Sequence, residues 1–112
     1  MFFPAEETFL RWTERMAGRT SPHVILLDSR GKQFSSEEFA TYLGGLRDSD
    51  VQAAVFGIGP ADGWSQAARE RANLLLSLGR MTLQHELARA VVAEQVYRAL
   101  TILAGHPYHC GH

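Results

Sequence analysis

This sequence predicts a parallel α/β fold, and three observations carry that prediction. Two short apolar runs, inside HVILLD and VQAAVFGI, look like strands buried on both faces of a sheet, since a half-exposed strand would alternate. Segments with helical periodicity lie between and after them, an alternation that implies parallel strands joined by right-handed crossovers. The chain then closes with a run free of glycine and proline, from about residue 82 to 103, and a histidine-rich tail.

Taken in order, Pro4 followed by Ala5, Glu6 and Glu7 opens a helix, with proline suited to the first turn and acids to the positive end of the dipole. It is expected to run to about Ala17, to carry Phe9, Leu10, Trp12 and Met16 on one broad side, and to end at Gly18. A strand over residues 24–27 is entered through Pro22 and left through Asp28, Ser29, Arg30 and Gly31, which puts Asp28 at its carboxyl end. Ser35, Ser36, Glu37 and Glu38 have the form of a cap followed by acids, and a helix through Phe39, Tyr42, Leu43 and Leu46 follows. The next strand spans residues 51–58 and ends in the turn GPADG. Residues 65–75 read as a helix with Ala68, Ala72 and Leu75 on one side, and a brief strand over residues 76–78 precedes the long helix.

Both ends of that long helix are marked. Thr82 is the expected N-cap, and Gly105 with Pro107 supplies the stop. Val92, Val96, Ala99 and Leu103 form one apolar stripe, while Leu83, Leu87, Ala90 and Val91 form a second roughly opposite. A single core needs only one stripe, so the second predicts a further packing partner, most economically another copy of the chain. Between the stripes Glu94 and Arg98 make an i,i+4 pair in the favourable orientation, which taken alone is structural.

Composition bounds the function. With 112 residues the chain is one small domain without visible sub-boundaries, and at this size burial against a partner adds considerably to stability. Hydrophobic content of 46% and charged content of 21% are ordinary for a globular protein, and no run reaches the apolar length of a membrane span. The opening MFFP is too short for a signal-peptide core, and the lone Cys110 fits a reducing compartment, so the cytoplasm is expected. A net charge of −1 makes no general case for nucleic acid; RNA contact has to come from a local patch. Cys110 with His106, His109 and His112 matches no strong zinc spacing, and nothing beside Cys110 favours its thiolate, so neither metal binding nor nucleophilic catalysis is expected there.

Ligands of open α/β sheets sit beyond the carboxyl ends of the strands, where loops converge and helix N-termini point their N–H groups outward. Leu27 with Asp28, Ile58 with Gly59, and residues 78–83 should meet there. Gly59 would let a ligand approach the backbone closely, and Gly63 would permit a positive φ. Spacing alone also allows these to be plain strand-ending turns.

The same segments carry a resemblance. Leu26, Leu27 and Asp28 with Gly31 and Lys32 come first; Phe56, Ile58 and Gly59 with Ala61, Asp62 and Gly63 follow. Then come LSL at residues 76–78, Met81, Thr82, Leu83 and His85, next AEQVYRA at residues 93–99, and finally His106, Pro107, Tyr108 and His109. In order and spacing they resemble the ribosomal large-subunit methyltransferase H family of the SPOUT superfamily, from about His23 to His109, with residues 6–16 similar to the helix before. The resemblance implies a SPOUT-type parallel sheet with a deep trefoil knot near the carboxyl end, built from Gly59 onward, in a domain made of an N-terminal helix (residues 1–22) and a knotted core (residues 23–112). It implies a homodimer that transfers a methyl group from S-adenosylmethionine to N3 of a pseudouridine in 23S rRNA, with RNA or the 70S ribosome as partner. Cofactor contacts, mainly to backbone, map to Leu27, Gly59, Leu78, Gly79, Arg80, Met81, Thr82 and Leu83. His106, Tyr108 and His109 become candidate acid, base or orienting groups, Arg98 a holder of phosphate or base, and the tail would reach the partner's cofactor.

Some positions depart from the family pattern. The family's usual chain begins with a further strand, helix and strand, so a reduced number of strands is expected. Pro60 stands where a second glycine is usual, Gln84 where a proline precedes His85, and Cys110 where an arginine follows the histidine, removing a natural phosphate contact. Two alternatives accompany the enzyme reading: an inactive knotted dimer that keeps only the fold or the cofactor pocket, and methylation of a smaller RNA. Without the resemblance, Tyr108 packs, the histidines are solvated and Arg98 pairs with Glu94.

Overall fold

A computed structural model describes residues 22–51, 53–59 and 64–109. The helix expected over residues 5–17, the turn at Pro60 to Gly63, and Cys110 to His112 lie outside the described residues. The described elements are β1 (His23–Gln33), α1 (Ser36–Asp48), β2 (Ala54–Ile58), α2 (Gln66–Arg71), β3 (Leu74–Ser77) and α3 (His85–Leu103). The three strands form a parallel sheet in the order β2-β1-β3.

Because β1 is central, successive residues must be apolar on both sides, which is why its first half is an unbroken hydrophobic run. Val24 and Leu26 pack with Val55, Trp64 and Ala68 on one face. On the other, Ile25 packs with Phe39 and Ala40 of α1, Phe56 of β2, Leu76 of β3, and Val92 and Ala99 of α3. Helices α1 and α3 thus cover one face, and α2 with Trp64 the other.

α1 forms where expected. Ser35 accepts from the Glu38 backbone N–H at 3.0 Å and Glu38 Oε1 accepts from the Ser35 N–H at 2.7 Å, a reciprocal capping box. Other boundaries differ from the sequence reading. The helix expected over residues 65–75 stops at Arg71, and β3 begins at Leu74 rather than residue 76. Asn73 makes the difference: its side-chain Oδ1 accepts from the Val24 N–H and its own N–H donates to the Val24 carbonyl, both at 2.8 Å. That exchange sets the register Ile25↔Leu74, so leucines that could have sat on a helix face enter the sheet instead. Likewise β2 begins at Ala54, not residue 51.

β1 is longer than expected. Leu27 and Lys32 both partner Leu76, so Asp28 to Gly31 form an excursion within the strand rather than its exit, and the chain then rejoins β3 at Gln33↔Ser77. Gly31 makes the return possible. A Cβ on Gly31 would lie 2.5 Å from the Leu75 carbonyl carbon and oxygen, which are backbone and cannot swing aside.

The long helix also starts later. α3 begins at His85, and its N-cap is Gln84, whose Oε1 accepts from the Leu87 N–H at 3.1 Å, in place of Thr82. Its first stripe faces the core: Val92 and Ala99 are buried, Val96 and Leu103 partly so. Of the second stripe, Leu83 and Val91 are half-buried, while Leu87 and Ala90 are exposed; further along α3, Tyr97 and Leu100 are 53% and 57% exposed.

Gly31→Ala should therefore cost about 1–3 kcal/mol of overpacking, measured by urea or thermal unfolding. Unchanged stability would contradict the close passage of β1 over β3.

Candidate functional site

Parallel pairing brings the carboxyl ends of all three strands to one edge, where they enclose a cleft of about 570 Å³. Leu27, Asp28, Ser29 and Arg30 of the β1 excursion form one wall. Ile58 and Gly59, at the end of β2, form the second. Leu76 of β3, Leu78 and Gly79 after it, then Met81, Thr82 and Leu83, close it together with the cap Gln84 and with His85 and Ala88 of α3. Of the residues that the resemblance linked to a cofactor, Arg80 alone is not among those lining the cleft; it is exposed between two that are.

Two side chains whose roles the sequence reading did not assign hold these walls. Trp64 Nε1 donates to the Leu27 carbonyl at 3.0 Å, tying the connection after β2 to the end of β1. Its indole lies so close to Gly59 that a Cβ there would be 2.5 Å from Cε2 and Nε1. Glycine at 59 is thus demanded by Trp64, beyond any approach of a ligand. The signal was a tryptophan directly before Ser65, the residue that caps α2 by accepting from the Ala68 N–H at 3.2 Å. The second is Ser77, buried at the end of β3. Its hydroxyl accepts from the Gly79 N–H at 3.1 Å and reaches the Gly79 and Ser29 carbonyls at 3.1 and 3.3 Å, so it pins the turn after β3 to the excursion in β1. Gly79 has φ +134°, a conformation suited to glycine.

Asp28 lies at the cleft wall with its side chain 2% exposed, while that of Arg30 is 62% exposed. The guanidinium donates to both carboxylate oxygens at 3.2 Å, and the Arg30 backbone N–H donates to Oδ1 at 2.9 Å. The Arg30 guanidinium holds the Asp28 carboxyl below the usual carboxylate range, against the opposing effect of burial.

A second cavity, about 260 Å³, adjoins the first and shares Leu76, Leu78 and Gly79 with it. It runs between the amino end of α1 and the Val91, Val92 and Gln95 turn of α3, where Ser36 Oγ donates to Gln95 Oε1 at 2.8 Å.

The four residues proposed for catalysis do not line the 570 Å³ cleft. Three of them, Arg98 of α3 with Tyr108 and His109 of the tail, gather around Glu94 and Glu37. Arg98 Nη2 meets Glu94 Oε2 at 3.0 Å, the Tyr108 hydroxyl donates to the same oxygen at 3.0 Å, and the guanidinium stacks over the Tyr108 ring at 5.0 Å. Arg98 Nη1 lies 3.0 Å from His109 Nδ1, and His109 Nε2 lies 3.0 Å from Glu37 Oε1 of α1. A guanidinium can only donate, so Nδ1 accepts and Nε2 carries the proton given to Glu37. His106 stands apart, exposed, its Nδ1 accepting from the Tyr108 N–H at 3.2 Å. The Arg98 guanidinium, then the Tyr108 hydroxyl, hold the Glu94 carboxyl below its ordinary value; the bond to Glu94 in turn raises Tyr108.

Comparison with known proteins adds to this geometry. Residues 5–109 match the family model described as predicted SPOUT methyltransferase. A ribosomal RNA large subunit methyltransferase H of Koribacter versatilis is 54% identical over 108 residues, 96% of this chain and 73% of that protein. Proteins of the same name from Allorhizobium ampelinum and Xanthobacter autotrophicus are 53% and 52% identical over 80% and 77% of this chain. In these two the match spans little more than half of the relative, 56% and 54%.

The Asp28–Arg30 pair has a pH signature. A carboxyl lowered in the fold contributes stability that is present above its unfolded value and is lost as pH falls through the folded one. Asp28→Asn should lower stability at neutral pH, and the gap to the parent should close on acidification below the ordinary aspartate range. A gap independent of pH in parallel urea titrations would contradict the assignment.

Proposed function

The chain belongs to the SPOUT methyltransferase superfamily, within the ribosomal RNA large subunit methyltransferase H family, and from that premise we propose that it transfers a methyl group from S-adenosylmethionine to large-subunit ribosomal RNA. The observation that carries the reading is a coincidence of position: Leu27, Gly59, Leu78, Gly79, Met81, Thr82 and Leu83, drawn from three separate segments, all line one cleft. Relatives that bear the enzyme's name favour an active protein over a dimer that keeps only the fold.

The residues present suit the cofactor. A volume of about 570 Å³ fits a ligand the size of a nucleoside joined to an amino acid. The lining combines apolar side chains such as Leu27, Ile58 and Leu78 with backbone at three strand ends, a pairing that serves a flat purine and a polar ribose alike. When bound, S-adenosylmethionine supplies a methyl already activated on a sulfonium, so the protein's work is to align donor and acceptor, take up the departing proton and exclude water. Backbone groups at Leu27, Gly59 and residues 78–83 hold the cofactor, with Arg80 at its rim. Arg98, Tyr108 and His109, together with the more exposed His106, act on the acceptor, which is N3 of a pseudouridine in 23S rRNA within the ribosome. Arg98 orients the acceptor or its phosphate, and the histidines handle the proton.

In this reading the segments from Gly59 onward are threaded as a deep trefoil knot, an N-terminal helix in residues 1–22 precedes the core, and the tail of one copy reaches the cofactor of another. Support for a second copy comes from the apolar side that α3 leaves exposed, Ala93, Tyr97 and Leu100. Among the described residues no helix is long and apolar enough to cross a membrane; the ribosomal substrate of this reading places the work in the cytoplasm.

Ribosomes lacking the modification, incubated with the chain and methyl-labelled S-adenosylmethionine, should gain label in 23S rRNA. Cofactor binding without transfer to any ribosomal RNA would overturn the reading.

A further inference from the structure

We propose that Arg30 receives the carboxylate at the amino-acid end of S-adenosylmethionine, with Asp28 as the residue that positions it. This rests on the methyltransferase reading and adds a side-chain contact to the same cleft, whose other expected contacts are to backbone. The cofactor carries one carboxylate beside its ammonium and sulfonium, and among the described residues that line the cleft Arg30 is the only arginine or lysine.

The chain goes out of its way to place this side chain. Asp28 to Gly31 leave the sheet between two pairings with Leu76, those of Leu27 and Lys32, and an insertion of this kind re-aims a side chain at the sheet edge. The excursion is fixed on both sides, since Ser77 Oγ lies 3.3 Å from the Ser29 carbonyl and Gly31 passes close over the Leu75 backbone. Within it, Asp28 accepts from the Arg30 backbone N–H at 2.9 Å and from Nε and Nη2 of the guanidinium at 3.2 Å each. Much of the rotamer freedom that a loose arginine gives up on binding is therefore given up in folding, which favours the bound state.

The bonding pattern leaves a second fork. A guanidinium is planar with five N–H groups: Nε–H runs parallel to one hydrogen of Nη2, and the other hydrogen of Nη2 runs parallel to one of Nη1. Asp28 occupies the first pair. The second pair has no partner among the described residues, and the Arg30 side chain is 62% exposed where that of Asp28 is 2% exposed. Two parallel N–H groups at an open cleft wall match the two oxygens of a carboxylate.

Charge explains why the arginine is paired. A lone guanidinium in the cleft would repel the sulfonium that has to lie there, whereas the Asp28–Arg30 pair is neutral as a whole and attracts only at the short range of its free fork. The same pairing favours a cofactor carboxylate over an RNA phosphate, because Arg30 lines the cleft itself while the exposed Arg80 does not.

The test is calorimetric titration of the full chain with S-adenosylmethionine and with its decarboxylated form, which keeps the adenosine, sulfonium and ammonium and lacks only the carboxylate. The parent should bind the complete cofactor more tightly. Arg30→Gln should weaken S-adenosylmethionine by about ten- to a hundredfold and leave the decarboxylated form nearly unchanged, so that the two come level; the retained binding of the second ligand shows that the variant is folded. Arg30→Lys, which keeps a point charge without the fork, should fall between. Equal binding of both ligands by the parent, or an equal loss of both in the two variants, would overturn the proposal and leave the methyltransferase reading standing. So would unchanged S-adenosylmethionine binding in Arg30→Gln with slower transfer to ribosomes, which would give Arg30 to the RNA. A parent that binds neither ligand would overturn both.

Discussion

Because β1 pairs in parallel with both β2 and β3, the chain leaves the sheet three times at one edge, and the site follows from that constraint. Antiparallel pairing would have sent one of those connections to the opposite edge. The requirement on sequence is severe, since a central parallel strand must be apolar on both faces, and the run from Val24 to Leu27 meets it. The edge is then fixed by a few directional bonds. Trp64 ties the β2 connection to the Leu27 carbonyl, and Ser77 ties the turn after β3 to the β1 excursion. Each is buried, where an unmade bond is expensive, so the cleft walls are held by groups that lose more than one contact if they move.

Opposite requirements meet on α3. One side must fill the core with Val92 and Ala99, while the other leaves Tyr97 and Leu100 in contact with water. Between them runs the chain of charges Glu94, Arg98 and Glu37 that holds Tyr108 and His109. Isolated exposed ion pairs contribute little to stability. Here the effect is orientation: one guanidinium fixes the rotamer of a carboxylate, the tautomer of an imidazole and the tilt of a phenol. The tail thus lies against the α1–α3 surface, next to the bridge of Ser36 and Gln95 and away from the lining of the larger cleft.

Much of this could be read in the sequence, and the failures share a cause. The capping box of α1 was legible because both partners lie within four residues. The convergence of Leu27, Gly59 and residues 78–83 was legible because parallel strands must end together. Thr82 is of a favoured capping type, but residues 78–84 are non-helical along the cleft, so the helix starts later and Gln84 caps it. Asn73, Trp64 and Ser77 act on residues 49, 37 and 48 positions away, so no local pattern names their partners. The β1 excursion reads locally as a strand exit for the same reason, its return resting on the distant pairings of Lys32 with Leu76 and Gln33 with Ser77.

The central claim is that three strand ends build one cofactor cleft. A crystal structure of the chain with S-adenosylhomocysteine tests it most directly. The account predicts the ligand in the larger cleft, with its adenosine within hydrogen-bonding distance of backbone groups at Leu27, Gly59 and the segment from Met81 to Leu83. A ligand bound elsewhere on the chain, or a cleft left empty at saturating ligand, would contradict it.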